Sequence, residues 1–225
     1  MQQRFLRTHP GASPAAHQTV YQGAVNLMRS EAANAFHLEQ EPDAVRKKYG
    51  NGLFGQGCLM ARRLIEHDVK LVQVNWQQIE GKVNNGSWDT HALHEASLKD
   101  HLMPIMDQSF SALLEDLEQR GMLDETLVAW VGEFGHTPKF NANAGRDHWG
   151  KVFSVAFAGA GIRGGTVWGK SDSMAAEPVE GRVSPADISA TILDSLWIRP
   201  DSEFVDDQGR PLPVSRGRVI REILT

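Results

Sequence analysis

The stretch "TLVAWVGEFGHTPKFNANAGRDHWGKVFSVAFAGAG", residues 126–161, decides how this chain is read. Two apolar runs, 126–131 and 152–158, enclose a polar loop. Each run is short, rich in β-branched and aromatic residues and bounded by glycine, as buried strands are. The loop between them carries Glu133, His136, Thr137, Arg146, Asp147 and His148. An acid, an imidazole and a guanidinium placed side by side just before a buried strand are either a polar turn or ligands held at the rim of a sheet.

Working outward, "VKLVQVNW" (69–76) alternates imperfectly but its β-branched content predicts a third strand. Residues 77–88 are rich in Gly and Asn and read as a loop. From Ala92 to Arg120, Leu98, Leu102, Ile105, Met106, Phe110, Leu113, Leu114 and Leu117 recur at intervals of three and four, the stripe of an amphipathic helix. Pro104 is expected to kink that helix or mark its true start, and Gly121 to stop it. Three helices are predicted upstream. The first covers about 17–36 with an apolar face of Val20, Ala24, Leu27, Met28 and Ala35. The second lies between Pro42 and Gly50. The third spans 54–67 on Leu59, Met60, Arg63, Leu64 and Ile65, with Arg62 and Arg63 partly on the wet side. Downstream, "GGTVWG" reads as a hairpin arm. "SPADISATILDSLWI" reads as a helix capped by Ser184, with Pro185 in its first turn and Asp187 at its third position. Residues 1–16 are polar, contain Pro10, Gly11 and Pro14, and read as a loose arm before a single domain over 17–225. The alternation of helices and strands predicts an α/β fold, a doubly wound and mostly parallel sheet holding runs 69–76, 126–131 and 152–158. Helices 92–120 and 184–197 are expected to pack on it.

Bulk properties narrow the function. A chain of 225 residues with 41% hydrophobic and 23% charged residues is ordinary for a globular protein. A formal charge of −5 gives no reason to expect nucleic acid or an anionic membrane as partner. The one cysteine, Cys58, excludes an internal disulfide and sits at helical spacing as a structural thiol. No apolar run approaches the ~20 residues of a membrane span. The start, "MQQRFLRTHPG", lacks the apolar core of a signal peptide, so the chain as written is expected to stay in the cytoplasm.

In open α/β sheets ligands gather beyond the carboxyl ends of strands. Three polar clusters fall there: Asp89, His91, His94 and Glu95 in "WDTHALHE"; Glu133 with His136 and Thr137; and Arg146, Asp147 and His148. Each has a plainer reading. Asp89 would cap the long helix, His94 would be a solvated helix residue, Glu133 a hydrophilic strand end, and Asp147 and His148 would pair with each other or with Arg146 as a loop clasp. Three clusters at successive strand ends favour a site. Asp89, His91, Glu133, Asp147 and His148 are its expected ligands, for zinc or, with water, manganese, magnesium or calcium. Ser184 is explained as a cap, Thr137 as a turn residue, and the glycines of "GAGIRGG" lack the P-loop lysine and hydroxyl. No nucleophile stands out.

At "WDTH", "GEFGHTPKFNANAGRDHW", "FAGAGIRGG" and "SPADISATILDSLWI" the sequence resembles the domain of unknown function 1501 family, sulfatase-like proteins of the alkaline phosphatase superfamily. The likeness runs over about residues 17–200. The resemblance implies an α/β fold around a metal site that hydrolyses phosphate or sulfate esters of small molecules or glycans. Asp89 and His91 would serve one metal, Glu133 would be a strand-end ligand, and His148 with Asp147 a late one. His136, Thr137 and Arg146 would face substrate. His136 departs from the arginine usual in the family; a neutral imidazole does not grip an oxyanion bidentately as arginine does. Family proteins run to about twice this length, and relatives often carry export signals. The chain is therefore expected to match a C-terminal half without the first strands, early acidic ligand and nucleophile. Such a half would be poorly active and would self-associate through an exposed sheet edge. The competing expectation is an inactive sulfatase-like binding module or a truncated product.

Overall fold

The computed structural model describes residues 12–28 and 31–225. Most of the expected N-terminal arm, residues 1–11, lies outside them, and its last residues belong to helix α1 (Ala12–Met28). Helices α2 (Asp43–Tyr49), α3 (Leu53–Glu66), α4 (His94–Ser97), α5 (Met103–Gln119) and α6 (Pro185–Ser195) follow. The strands are β1 (Val128–Trp130), β2 (Gly135–His136), β3 (His148–Trp149), β4 (Ala156–Ala158), β5 (Lys170–Ser171), β6 (Pro178–Glu180), β7 (Glu203–Val205) and β8 (Pro211–Pro213).

The sheet differs from the one expected. Among the described residues the strands form separate two-stranded ribbons, β1–β4, β2–β3, β5–β6 and β7–β8, every one antiparallel. No doubly wound parallel sheet with helices on both faces is present among the described residues. The reason lies in the connection between the two decisive runs. Parallel neighbours need a crossover, usually a helix. No helix lies between Trp130 and Ala156, only the short β2–β3 ribbon, so the chain turns back and sets Val128 opposite Ala158 and Trp130 opposite Ala156. The run 69–76, expected as a third strand, forms none: residues 71–79 have no regular secondary structure and join no ladder. Their side chains hold them instead. Val74 packs into the hydrophobic core and Trp76 leans against Phe54, their rings 4.9 Å apart and tilted by 47°.

The helices keep closer to their sequence signals. Pro42 precedes α2 and Gly50, at φ 89°, ends it. Ser184 and Asp187 form a reciprocal capping box at the start of α6. The long helix begins at His94 and contains a π-helical turn over Leu98–Leu102, where the N–H of Met103 reaches back to the carbonyl of Leu98. Pro104 supplies the cause. It has no N–H for the carbonyl four residues back, and the widened turn just before it absorbs the break. Of the apolar face expected for the first helix, Val20 is 73% and Met28 76% exposed, while Ala35, in the following 3-10 turn, is fully buried. No helix among the described residues is long and apolar enough to cross a membrane.

The densest packing lies between α2, α3 and α5, around Tyr49, Cys58, Leu59 and Ala112. Burial pushes the Cys58 thiol up to about 12, so it stays a neutral filler. Gly55 lets α3 meet the end of α2, since a Cβ there would stand 2.0 Å from the Tyr49 carbonyl oxygen.

Arg62 and Arg63 are not on the wet side. Arg62 is 1% exposed. Its Nε donates to Asp116 Oδ2 at 2.9 Å and its Nη1 to Glu66 Oε2 at 2.5 Å, while Nη2 makes an ion-pair contact with Glu41 at 2.9 Å. Arg63 reaches the other oxygen of Glu41 and the carbonyl oxygens of Asn34 and Ala35. Tyr49 donates its hydroxyl to Asp116 at 2.9 Å, and Arg120 donates to both Asp116 and Glu66. Burial opposes ionisation of Asp116, but Arg120, Tyr49 and Arg62 overcome it and hold its carboxyl below the usual range.

A buried ion pair that loses one partner costs about 3–5 kcal/mol, because the other charge is stranded. Arg62→Met is accordingly expected to destabilise the protein by about that amount, read as a lower urea midpoint. Arg62→Lys is expected to recover little, because one ammonium does not span three carboxylates. The depressed Asp116 adds stability that is present above its unfolded pKa and is lost as pH falls through its folded one. The deficit of the Arg62→Met variant therefore shrinks in acid.

Candidate metal centre

The site forms where residues 89–94 lie beside residues 141–148. The N–H of Arg146 donates to the Thr90 carbonyl at 3.0 Å, and the N–H groups of Leu93 and His94 donate to Asn143 and Ala144 at 3.0 and 2.9 Å. Asn84 pairs with the backbone of Ala92 in both directions, donating at 2.7 Å and accepting at 3.1 Å. Gly145 is required by this approach, because a Cβ there would stand 1.9 Å from the His91 carbonyl oxygen. Thr90 is fully buried, its hydroxyl 2.5 Å from His94 Nδ1. Asp89 and His91, flanking it, are both partly exposed, as the period-two alternation of extended chain allows. Trp88 anchors the near end between Trp76 and Trp130, at ring separations of 5.5 and 6.2 Å.

His148 arrives on β3, opposite His136 in the β2–β3 register. Phe134 sets its ring edge against His148, 4.4 Å between centroids. Asp89 Oδ1 then lies 2.8 Å from His91 Nε2 and 2.9 Å from His148 Nε2, and the two imidazole nitrogens are 3.3 Å apart. The ligand atoms of Asp89, His91 and His148 all lie within 4.8 Å of one another. Behind them, Asp147 Oδ1 is 3.0 Å from His91 Nδ1.

This donor set fits a divalent ion. Two ligands each about 2.1 Å from a tetrahedral centre stand about 3.4 Å apart, close to the separation of the two imidazole nitrogens. The Asp89 oxygen has to move outward by roughly half an ångström to take up such a bond. Asp147 on the far nitrogen of His91 is the carboxylate–histidine arrangement that fixes the tautomer of a ligand and raises its basicity. The hydrogen bond to Asp147, together with Asp89, raises the pKa of His91, so the metal-free imidazole holds its second proton tightly. Asp147 is lowered in turn, by His91 first and Asn141 second.

The remaining expected residues take other places. Glu133 is exposed in the turn between β1 and β2, outside the group of three. Asp147 backs His91 rather than clasping Arg146. The Arg146 guanidinium donates to the carbonyl oxygens of Thr137 and Pro138 and lies 4.4 Å over the ring of Phe140. Thr137 donates its hydroxyl to Lys139 O and accepts the N–H of Asp147. Both therefore shape the loop. His136 and His94 are half-buried, their rings 5.8 Å apart, and burial first, then nearby cationic groups, lowers both pKa values. Asp89 does not cap the helix: α4 starts at His94 behind Leu93, whose left-handed φ of 46° makes the entry, and His94 is tied to Thr90 rather than solvated. Asn141, which the sequence reading passed over, donates to both His91 O and Asp147 Oδ1 at 3.1 Å. Its only sequence signal is its place in the small-residue run "NANAG".

No curated protein and no solved structure matches the chain. A family model described as "Protein of unknown function (DUF1501)" matches residues 1–224, so the strings around Asp89 and Asp147 lie inside the matched region. The chain belongs to the DUF1501 family.

Proposed function

We propose that this protein is a divalent-metal protein whose site, formed by Asp89, His91 and His148, serves hydrolysis of phosphate or sulfate esters. The observation that supports it is the convergence of these three ligand atoms with Asp147 behind His91. Three protein ligands with a remaining position open to water is the pattern of catalytic rather than structural sites. The ligands are 44%, 44% and 49% exposed, so a substrate oxygen has access. Two imidazoles and one carboxylate favour zinc; manganese competes, and magnesium and calcium prefer all-oxygen sets. Bound there, the metal supplies a Lewis acid and an acidified water. The chain itself contributes His91 and His148 as neutral donors, Asp147 as the acceptor that orients His91, and His136, kept neutral, on the strand facing His148. The ester class rests on the motif resemblance, because the observed ribbons are not the superfamily's parallel sheet.

A second reading has its own support. Thr137 and Arg146, expected to face substrate, spend their polar groups on backbone atoms. That favours a metal-holding binding module without turnover. The uncharged segment 71–79, whose backbone joins no ladder, gives either form a place to self-associate.

Calorimetric titration with zinc is expected to show one site per chain, lost in His148→Ala. Binding has to displace the extra His91 proton. Affinity therefore declines as pH falls through the raised His91 pKa and levels off above it, and enthalpies measured in buffers of different ionisation heat reveal the released proton. An affinity independent of pH across that range contradicts His91 as a ligand. Turnover of p-nitrophenyl phosphate or sulfate is expected to be low, metal-dependent and abolished in His148→Ala. Tight zinc binding without turnover selects the binding module, and absence of both removes the metal reading.

A further inference from the structure

We infer that Asn141 is the positioning residue of this centre, holding Asp147 so that His91 offers Nε2 to the metal. The inference rests on the metal reading above and goes further, because it assigns the choice of nitrogen to an amide outside the ligand set. The orientation of that amide is set by its surroundings. Oδ1 accepts the N–H groups of Asn143 at 2.9 Å and Gly145 at 3.0 Å, and neither donor would tolerate an NH2 in its place. The Nδ2 end is thereby turned toward His91 O and Asp147 Oδ1, both acceptors, which use both of its hydrogens. One side chain thus closes its own turn and grips both the backbone of a ligand and the carboxylate behind that ligand.

That grip has a chemical consequence. Asp147 is 56% exposed. An exposed carboxylate gains little from one ion pair and exchanges readily with water. The donor from Asn141 fixes Oδ1 between two N–H groups, its own and that of His91 Nδ1. A neutral imidazole carries one proton, which sits on whichever nitrogen has the better acceptor. Asp89 Oδ1, 2.8 Å from Nε2, competes for that proton; held in place by Asn141, Asp147 draws it to Nδ1 and frees Nε2 for the metal. Released, Asp147 no longer biases the ring, and the protonated nitrogen can be the one the metal needs.

Asn141→Asp isolates this role. It retains an oxygen for the Asn143 and Gly145 N–H groups but sets a second oxygen against Asp147 and the His91 carbonyl. Nitrogen-15 NMR of metal-free protein, above the titration of His91, is expected to show proton population moving from Nδ1 toward Nε2. The zinc dissociation constant is expected to rise about 10- to 100-fold, the usual effect of losing such an outer partner, while the melting temperature stays near that of the unmodified protein. The double variant Asn141→Asp, Asp147→Asn keeps the net charge and restores complementarity. The Asp147→Asn amide donates to the new carboxylate and turns its oxygen to His91 Nδ1–H, so the tautomer and part of the affinity return. An unchanged tautomer and zinc affinity in Asn141→Asp overturn the inference. Loss of affinity that the double variant does not relieve, with the tautomer unmoved, assigns Asn141 to turn structure alone and also overturns it. If the unmodified protein takes up no zinc, the metal reading falls, and the metal-free tautomer comparison still decides the role of Asn141.

Discussion

The guanidinium of Arg62, almost wholly removed from water between Asp116, Glu66 and Glu41, is the constraint on which the helical half is built. It lies on α3, and its partners come from α5, from its own helix and from the residue ahead of Pro42. Desolvating such a charge is costly unless opposite charges face it, so these elements have little freedom to shift. Tyr49 and Arg120 extend the same restriction to the end of α2 and the last turn of α5. The metal centre inherits it. The helix that Asp116 pins runs back through the π-helical turn to His94, whose ring holds Thr90 between two of the ligands.

That arrangement shows what was legible in the sequence. Helix limits were, because Pro42, Gly50, Ser184 with Asp187, and Pro104 each act through backbone chemistry next to themselves. The burial of Arg62 and Arg63 was not. An arginine on an apolar stripe has the same pattern whether its head reaches water or meets carboxylates that are distant in sequence, as Glu41 and Asp116 are. The apolar runs at 126–131 and 152–158 did form strands, but strand direction depends on the connection. The glycine-rich, helix-free loop between them was the available sign of an antiparallel return.

The candidate centre was legible in part for a related reason. "DTH" places two ligands on one face, either side of a threonine that points the other way, and "RDHW" puts an imidazole on the strand that follows, so Asp89, His91 and His148 could be found as residue types at loop ends. Glu133 belonged to the same pattern, yet in the structure it stands apart from the group of three, exposed where the chain turns between ribbons. Asn141 and the role of Asp147 were hidden because they depend on hydrogen bonds across about fifty residues of chain, from 141 and 147 to 91. Sequence spacing carries no trace of such pairing.

A centre whose ligands are nearly half exposed cannot take its order from tight side-chain packing alone. Order has to come from the backbone beneath. Here it does: Trp88 is wedged between Trp76 and Trp130, Thr90 is fully buried, Ala92 is paired with Asn84, and Gly145 lies directly under the His91 carbonyl. The rings of Phe54, Trp76, Trp88 and Trp130 run in an unbroken series from α3 to β1, so the same aromatic contacts join the helical half to the ribbons and seat the first ligand. The ligand loop is therefore held from below by apolar packing and from the side by amide and carboxylate bonds. Only its outer face is left open, which is where a metal and a water-borne substrate have to enter.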